Sequence, residues 1–193
     1  CSLRTRQVSA IVGPSATDNT TLVRLAFCDL NSLSGPGRLD NMDVNSWDAT
    51  DRGQYIGYLP QDVELFSGTI RQNIARLSEG DQEAVIAAAQ LAGVHEMILR
   101  LPQGYETEIG QHGAALSAGQ RQRIGLARAL YGQPPLVVLD EPNSTLDQAG
   151  LEALLCAFDA LRQSGTTVIV IAHQPNVIRH VDSLLCSATA RCR

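Results

Sequence analysis

The chain has 193 residues, of which 44% are hydrophobic and 18% charged, a composition that excludes a disordered protein and is enough for one domain with a buried core. Its net charge of −5 argues against a nucleic-acid-binding surface, and its apolar runs, such as residues 168–172, are too short to cross a bilayer. The five cysteines show neither CxxC nor zinc-type spacing, so we expect reduced thiols and no structural zinc.

Segments with strand and helix patterns alternate along the chain. Short apolar, β-branched runs predict strands at residues 7–12, 56–59, 136–139 and 166–172, and a hairpin at 38–44. Apolar residues at helical spacing predict helices at residues 20–28, 69–77, 82–92, 94–101, 117–131 and 147–162, and a helix that starts at 175. The alternation predicts one α/β domain over residues 1–193 with a mainly parallel sheet, and the helix-rich stretch at about 69–130 predicts an inserted helical subdomain.

The first predicted strand leads into a loop and a helix, an arrangement in which backbone N–H groups and a helix N-terminus bind phosphate. The full pattern for such a loop is G-x-x-x-x-G-K-[ST]. Gly13 occupies the first glycine position and Thr20 the position of the magnesium-binding hydroxyl, whereas Asp18 and Asn19 replace the second glycine and the lysine. The chain contains no lysine at all. Taken alone, the segment fits equally well a strand, turn and helix without a ligand.

Four polar residues follow or end predicted strands, where ligands bind in open α/β sheets. Asp140 ends an apolar strand, so its carboxylate can hold magnesium, and the adjacent Glu141 can orient or deprotonate an attacking water. Gln61 and His173 follow two other strands. Each signal is ambiguous alone, because Asp-Glu pairs often cap helices and a single histidine is more often structural.

Residues 117–123 read SAGQRQR and begin a predicted helix. Ser117 is the expected N-cap, since its hydroxyl can accept a hydrogen bond from a free backbone N–H group. The small residues Ala118 and Gly119 let a phosphate approach the backbone, and the helix dipole adds positive potential there. The segment therefore predicts a second phosphate-binding element.

In this order, the motifs resemble the nucleotide-binding domain of ABC transporters over nearly the whole chain. Residues 116–123 resemble the family signature LSGGQRQR, with Ala118 in place of one glycine. Residues 136–142 resemble the Walker B strand and the catalytic glutamate. Residues 143–147 resemble the D-loop, with Thr145 where asparagine or alanine is more usual.

Two further segments, residues 58–74 and 101–110, are typical of exporters, and the resemblance is closest to type I secretion ATPases. It implies a P-loop NTPase fold of the ABC type. It also implies an ATP-binding and ATP-hydrolysing domain that powers a type I protein secretion-like exporter through a separate or upstream membrane domain. Further implications are a head-to-tail dimer with a second ABC ATPase domain, no nucleic-acid partner, and a location at the cytoplasmic face of the inner or plasma membrane.

The resemblance also implies roles for individual residues. Gln61 corresponds to the Q-loop glutamine, Glu141 to the catalytic glutamate and His173 to the switch histidine, so these three are the expected catalytic residues. Magnesium is expected on Thr20, Gln61 and Asp140. The residues expected to contact ATP are Gly13, Pro14, Ser15, Ala16, Thr17, Asp18, Asn19, Thr20, Thr21, Ser117, Ala118, Gly119, Gln120 and Asp147.

The chain departs from the family pattern at two further places. Asp18 and Asn19 stand where glycine and lysine are expected, so the alternative function is a catalytically impaired nucleotide-binding or scaffold module. Residues 186–193 do not resemble the strand and turn of the family, and we expect the chain to be a fragment of a longer protein. A soluble ABC ATPase of DNA repair is disfavoured, because it should carry long coiled-coil insertions.

Overall fold

The computed structural model describes residues 5–13, 38–39, 42–43, 47, 49–78, 80–110 and 113–186. Within these ranges the strands are β1 (Val8–Val12), β2 (Arg38–Leu39), β3 (Met42–Asp43), β4 (Ile56–Leu59), β5 (Leu136–Asp140), β6 (Thr167–Ile171) and β7 (Ser183–Cys186). The helices are α1 (Ala49–Tyr55), α2 (Ile70–Ile74), α3 (Gln82–Leu91), α4 (His95–Leu99), α5 (Ala118–Leu130), α6 (Gln148–Ser164) and α7 (Pro175–Ile178), with a 3₁₀ turn at Gly104–Glu106.

Five strands form one sheet in the order β4–β5–β6–β1–β7, and every neighbouring pair is parallel. Leu59 of β4 pairs with Leu139 of β5, and Asp140 of β5 pairs with Ile171 of β6, so these strands end at the same edge. Strands β2 and β3 form a separate antiparallel pair, as the predicted hairpin requires. The sheet confirms the mainly parallel α/β fold, and its order places the carboxyl ends of β4, β5, β6 and β1 side by side.

Apolar side chains cover both faces of the sheet, as expected for parallel strands. Successive residues of a strand point to opposite faces. On β5, Val137 and Leu139 therefore join a large core with α2, α3, α5 and α6, whereas Leu136 and Val138 join a smaller cluster on the other face. Each such side chain contributes about 1.5–3 kcal/mol when buried, so β5 is a rigid support for the residues that follow it.

Helix α5 lies directly against β4, because glycine removes the side chain at two points of the crossing. A Cβ on Gly57 of β4 would lie 2.0 Å from the carbonyl oxygen of Ala129 in α5, and a Cβ on Gly125 of α5 would lie 3.0 Å from Cδ1 of Leu59 in β4. Arg76 also holds this region together, since its guanidinium donates hydrogen bonds to three carbonyl groups at the end of α5.

The helix predicted at residues 69–77 is shorter than expected. Thr69 caps it reciprocally with Gln72, but Arg76 and Leu77 adopt positive φ angles of 57° and 61°, so the helix ends at Ile74. The other predicted strands and helices within the described residues are confirmed, with shifts of one or a few residues at their ends. None of the described helices combines the length and apolarity needed to cross a membrane.

The sequence pattern does not predict α1 or β7. The sequence of α1, ATDRGQY, has no apolar periodicity, and β7 has only four residues, of which Leu184 is exposed. The helix predicted at residues 20–28 lies outside the described residues, and so does the segment 187–193.

Candidate functional site

Three polar side chains meet at the carboxyl edge of the sheet, each from the loop after a different strand. Gln61 donates a hydrogen bond of 3.2 Å from Nε2 to Oε2 of Glu141, and Nε2 of His173 lies 3.5 Å from Oε1 of Glu141. Glu141 lies between the other two because β5 lies between β4 and β6 in the sheet. The fold thus brings together the three residues predicted to be catalytic.

Asp140 and Glu141 mark the point where β5 ends. Asp140 is the last strand residue and is 1% exposed, whereas the Glu141 side chain is 20% exposed. The backbone of Glu141 is left-handed, with a φ of 45°, while its N–H group still donates a 3.0 Å hydrogen bond to the carbonyl of Ile171. A left-handed conformation costs a non-glycine residue roughly 1–2 kcal/mol, and such strain concentrates at functional sites. The bend places two adjacent carboxylates in different environments, one buried and one at the rim.

The acidity of this edge favours a divalent cation. A phosphate group would be repelled by two adjacent carboxylates unless positive charge lay between them. Carboxylate and amide oxygens are ligands that magnesium prefers, so Asp140 and Gln61 fit that ion. Within the described ranges, no group of three or more His, Cys, Asp or Glu side chains could hold a metal ion by itself. A magnesium ion would therefore take further ligands from phosphate, water or Thr20, which lies outside the described residues.

The signature segment forms the cap and first turn of α5. The Oγ atom of Ser117 accepts a 3.2 Å hydrogen bond from the N–H group of Gln120, whose Oε1 accepts a 2.8 Å bond from the N–H group of Ser117. This reciprocal capping box fixes the start of the helix. Ser117 and Ala118 are exposed, so the positive end of a 13-residue helix faces solvent. The predicted second phosphate-binding element is therefore preorganised and open.

The loop between β5 and α6 lies against the first turn of α5. A Cβ on Gly119 would lie 3.1 Å from the carbonyl oxygen of Thr145, so the absence of a side chain permits this close approach. Asp147, predicted to contact ATP, caps α6, since its Oδ1 accepts a 2.8 Å hydrogen bond from the N–H group of Gly150. The signature segment and the D-loop segment of one chain are thus neighbours.

Gln122 lies within the signature segment but is not among the residues expected to contact ATP. Its side chain is buried, its Nε2 donates a 3.4 Å hydrogen bond to the carbonyl of Glu141, and its Oε1 accepts a 3.2 Å bond from the hydroxyl of Thr145. A signal for it exists in the sequence, because Gln122 precedes the buried Leu126 and Ala129 by four and seven residues. A polar residue in the apolar stripe of a helix indicates a polar partner inside the fold.

The predicted phosphate loop begins at the same edge. Gly13 directly follows β1, which neighbours β6 in the sheet, so the loop starts beside the strand that leads to His173. The remaining residues of that loop, 14–21, lie outside the described residues, and their predicted contacts with ATP and magnesium stay predictions.

A groove of about 420 Å³ is lined by apolar and cationic side chains from β4, from α5 and from the segments that follow β4 and α2. Phe66 and Leu77, 55% and 57% exposed, border it together with Tyr58. The guanidinium of Arg128 lies 5.6 Å from the centre of the Phe66 ring, a cation–π contact. Burial lowers the pKa of Arg128 and, together with the nearby Arg128 charge, that of Arg76. Exposed aromatic groups beside partly desolvated arginines are typical of protein-binding surfaces.

Comparison with known proteins identifies relatives of the chain. Residues 1–144 match the family described as "ABC transporter". The "Type I secretion system ATP-binding protein PrsD" of Rhizobium meliloti (strain 1021) is 52% identical over 176 residues, which cover 91% of this chain and 30% of that protein. The "ATP-binding cassette sub-family B member 6" of Mus musculus is 39% identical over 181 residues, which cover 93% of this chain and 21% of that protein.

A solved structure agrees with these relatives. The "Structure of a bacterial Atm1-family ABC exporter with ATP bound" superimposes with a TM-score of 0.84 at 37% identity, covering 94% of this chain and 32% of that chain. The chain therefore spans a third or less of the length of each of these proteins. The agreement extends from the sequence to the arrangement of the strands and helices.

Proposed function

We propose, because this chain belongs to the ABC transporter family, that it is the ATP-binding and ATP-hydrolysing domain of an exporter of the type I protein secretion kind. The observation that carries the proposal is the meeting of Gln61, Glu141 and His173 at one sheet edge, beside the strand that leads into the phosphate loop. The relatives favour this function over the alternative of an impaired scaffold module.

Within this proposal, each residue of the edge has a distinct task. Glu141 orients the attacking water and accepts its proton, because its carboxylate is held at the rim by two side chains. His173 contacts the terminal phosphate. Thr20, Gln61 and Asp140 would hold magnesium, which when bound neutralises charge on the phosphate oxygens.

The signature segment serves a different nucleotide. Ser117, Ala118, Gly119 and Gln120 form an exposed helix N-terminus, a suitable site for a phosphate that arrives on a second ABC domain. Two domains would pair head to tail, each ATP lying between the phosphate loop of one domain and the signature of the other. Asp147 would line the same interface, and the helical subdomain at about 69–130 would carry the signature.

The membrane-spanning domain is the second proposed partner. The groove beside β4, with Phe66 and Arg128, lies next to the segment that follows Gln61, so a partner seated there would be coupled to the catalytic edge. With such a partner, the domain would act at the cytoplasmic face of the inner or plasma membrane. No nucleic-acid partner is proposed, since the chain carries a net charge of −5.

The phosphate loop sets the expected strength of nucleotide binding. A charged hydrogen bond to phosphate contributes about 1.5–3 kcal/mol, or about 10- to 150-fold in affinity. Asn19 lacks that charge, and Asp18 adds a like charge beside the phosphates. We therefore expect weak binding in the natural chain and at least about tenfold tighter binding in a repaired variant with Asp18→Gly and Asn19→Lys.

Titration of both proteins with a fluorescent ATP analogue and magnesium tests this expectation. The matched control combines Asp18→Gly with Asn19→Gln, which supplies a side chain of similar reach without the charge. Repaired and control proteins that bind with equal affinity would show that the loop does not grip phosphate through a cation. A repaired protein that binds no nucleotide would refute the proposed function.

A mixing experiment tests the head-to-tail dimer. The natural chain is combined with the repaired variant that also carries Ser117→Asp, whose negative charge disables the signature, so that only one composite site joins a complete loop to a complete signature. We expect little ATP hydrolysis by either protein alone and clear hydrolysis by the mixture.

The position of Glu141 supplies an internal control for the mixture. Glu141→Gln in the repaired chain should abolish the activity, whereas the same change in the natural chain should leave it, because each glutamate serves the nucleotide of its own chain. Heterodimers that form without hydrolysing ATP would instead support the scaffold alternative.

A further inference from the structure

The side-chain amide of Gln122 connects α5 with two points of the loop that follows β5. It is 3% exposed, and both of its polar atoms have partners in that loop. Its Nε2 donates to the carbonyl of Glu141 at 3.4 Å, and its Oε1 accepts from the hydroxyl of Thr145 at 3.2 Å. One side chain thus spans from the signature helix to the backbone of the proposed base.

The backbone at Glu141 needs such support because it is strained. Its φ of 45° is left-handed, and its carbonyl also accepts a 3.1 Å hydrogen bond from the N–H group of Ser144. Two donors on one carbonyl oxygen hold the peptide in the orientation that places the carboxylate between Gln61 and His173. Loss of one donor leaves the left-handed conformation with a single hydrogen bond to that oxygen.

The loop contacts α5 at a second point, since Gly119 approaches the carbonyl of Thr145. Gly119 and Gln122 are both within the first two turns of α5, which begins at the cap Ser117. A tilt of that helix end would therefore pull on the loop at Thr145 and on the peptide of Glu141 together.

We infer that Gln122 is a positioning residue that sets the placement of Glu141 and couples it to the signature helix. The catalytic part of this inference rests on the proposed function, but the hydrogen bonds of Gln122 can be tested without measuring ATP hydrolysis. When the signature segment binds the nucleotide of the partner domain, the hydrogen bonds of Gln122 would also hold Glu141 in place. Glu141 is the proposed base for the nucleotide bound by its own domain.

Hydrogen exchange tests the contact in the natural chain. Gln122→Met preserves the length and burial of the side chain but removes both hydrogen bonds, so the backbone amides of Ser144 and Leu146 should exchange about three- to tenfold faster. Thr145→Val should show a smaller acceleration, and Thr145→Ser, which keeps the hydroxyl, should match the natural chain. Gln90→Met is the matched control, because Gln90 is exposed on α3.

The exchange experiment remains decisive if Gln122→Met fails to fold, because Thr145 is exposed and Thr145→Val only replaces its hydroxyl with a methyl group. Exchange at residues 144–146 that is unchanged in the folded variants would overturn the inference. Combined with Gln122→Met, Thr145→Val should not accelerate exchange further, since the Oε1 atom that accepts the hydrogen bond from Thr145 is already absent.

Kinetic measurements on the repaired variant, which carries Asp18→Gly and Asn19→Lys, test whether Gln122 contributes to catalysis. Gln122→Met should lower kcat about three- to tenfold while the KM for ATP changes less than twofold, and it should have no further effect once Glu141 is replaced by Gln. A raised KM with unchanged kcat would overturn the positioning role. A repaired chain without any ATP hydrolysis would refute the proposed function, whereas the exchange data would still decide whether Gln122 holds the loop.

Discussion

Substitution of Gly57 by alanine should destabilise the protein strongly, because the strand and the helix approach each other there without room for a side chain. The added Cβ would lie 2.0 Å from the carbonyl oxygen of Ala129 and 3.0 Å from Cγ of Pro134. Ordinary contacts are longer than 3 Å, so β4 and α5 must separate by about 1 Å. Overpacking of this kind costs typically 1–3 kcal/mol, and we expect the upper half of that range because the closest partner is backbone.

Urea unfolding at pH 7, followed by circular dichroism, measures the free energy of unfolding. Gly53→Ala is the matched control, since Gly53 lies in α1 and the nearest atom to its added Cβ is Nη1 of Arg76 at 3.8 Å. That control should be about 0.5–1 kcal/mol more stable than the natural chain, because alanine favours helix more than glycine does. A Gly57→Ala protein as stable as the natural chain would refute the close approach of β4 and α5.

Two further predictions concern the stabilising contacts of Asp182 and the two roles of Ser117, as a helix cap and as a proposed phosphate contact. Burial alone would raise the pKa of Asp182, but the 2.8 Å hydrogen bond from the Val8 amide and the ion pair with Arg162 lower it below its usual value. This stabilisation is present above about pH 4 and lost as the pH falls through the folded pKa. Because Asp182 is exposed and solvent screens its charge, Asp182→Asn should lower the free energy of unfolding by only about 0.5–1 kcal/mol at pH 7 and by less at pH 3. The control Asp159→Asn, at an exposed partner of Arg162, should change the free energy of unfolding little. An Asp182→Asn protein that loses the same free energy at pH 3 as at pH 7 would contradict the lowered pKa of Asp182. Ser117→Ala should cost about 1 kcal/mol through loss of the α5 cap, measured by urea unfolding, whereas Ser117→Asp should keep the cap and the stability. Placed in the natural chain of the mixing experiment, Ser117→Asp should nevertheless abolish hydrolysis, because it presents a negative charge to the partner's phosphate, and retained hydrolysis would argue against that contact.

Local sequence was sufficient to predict most of the described elements and the strand-end positions of several candidate site residues. The apolar run of β5 and the cap at Ser117 act within a few residues, so the strand and the start of α5 were readable without tertiary information. The positions of Asp140, Glu141 and His173 at strand ends followed from the same local patterns.

Elements without a strong local pattern could not be predicted. Helix α1 has no apolar stripe and contains Gly53, and β7 is a short strand whose partner β1 lies more than 170 residues earlier in the chain. The left-handed backbone at Arg76 and Leu77 also ended α2 earlier than its helical pattern indicated. In each case contacts with distant residues outweigh the weak preference of the local sequence.

The amino-acid sequence alone establishes which chemical groups the protein carries and which segments bear them: the carboxylates at the end of β5, the glutamine after β4, the histidine after β6 and the capped signature. How those groups meet depends on the tertiary structure. Gln61 and Glu141 are 80 residues apart, and they touch because β4 and β5 are neighbours in the sheet. The order of strands, the close approach at Gly57 and the buried amide of Gln122 depend on packing between segments distant in sequence, which local preferences do not encode.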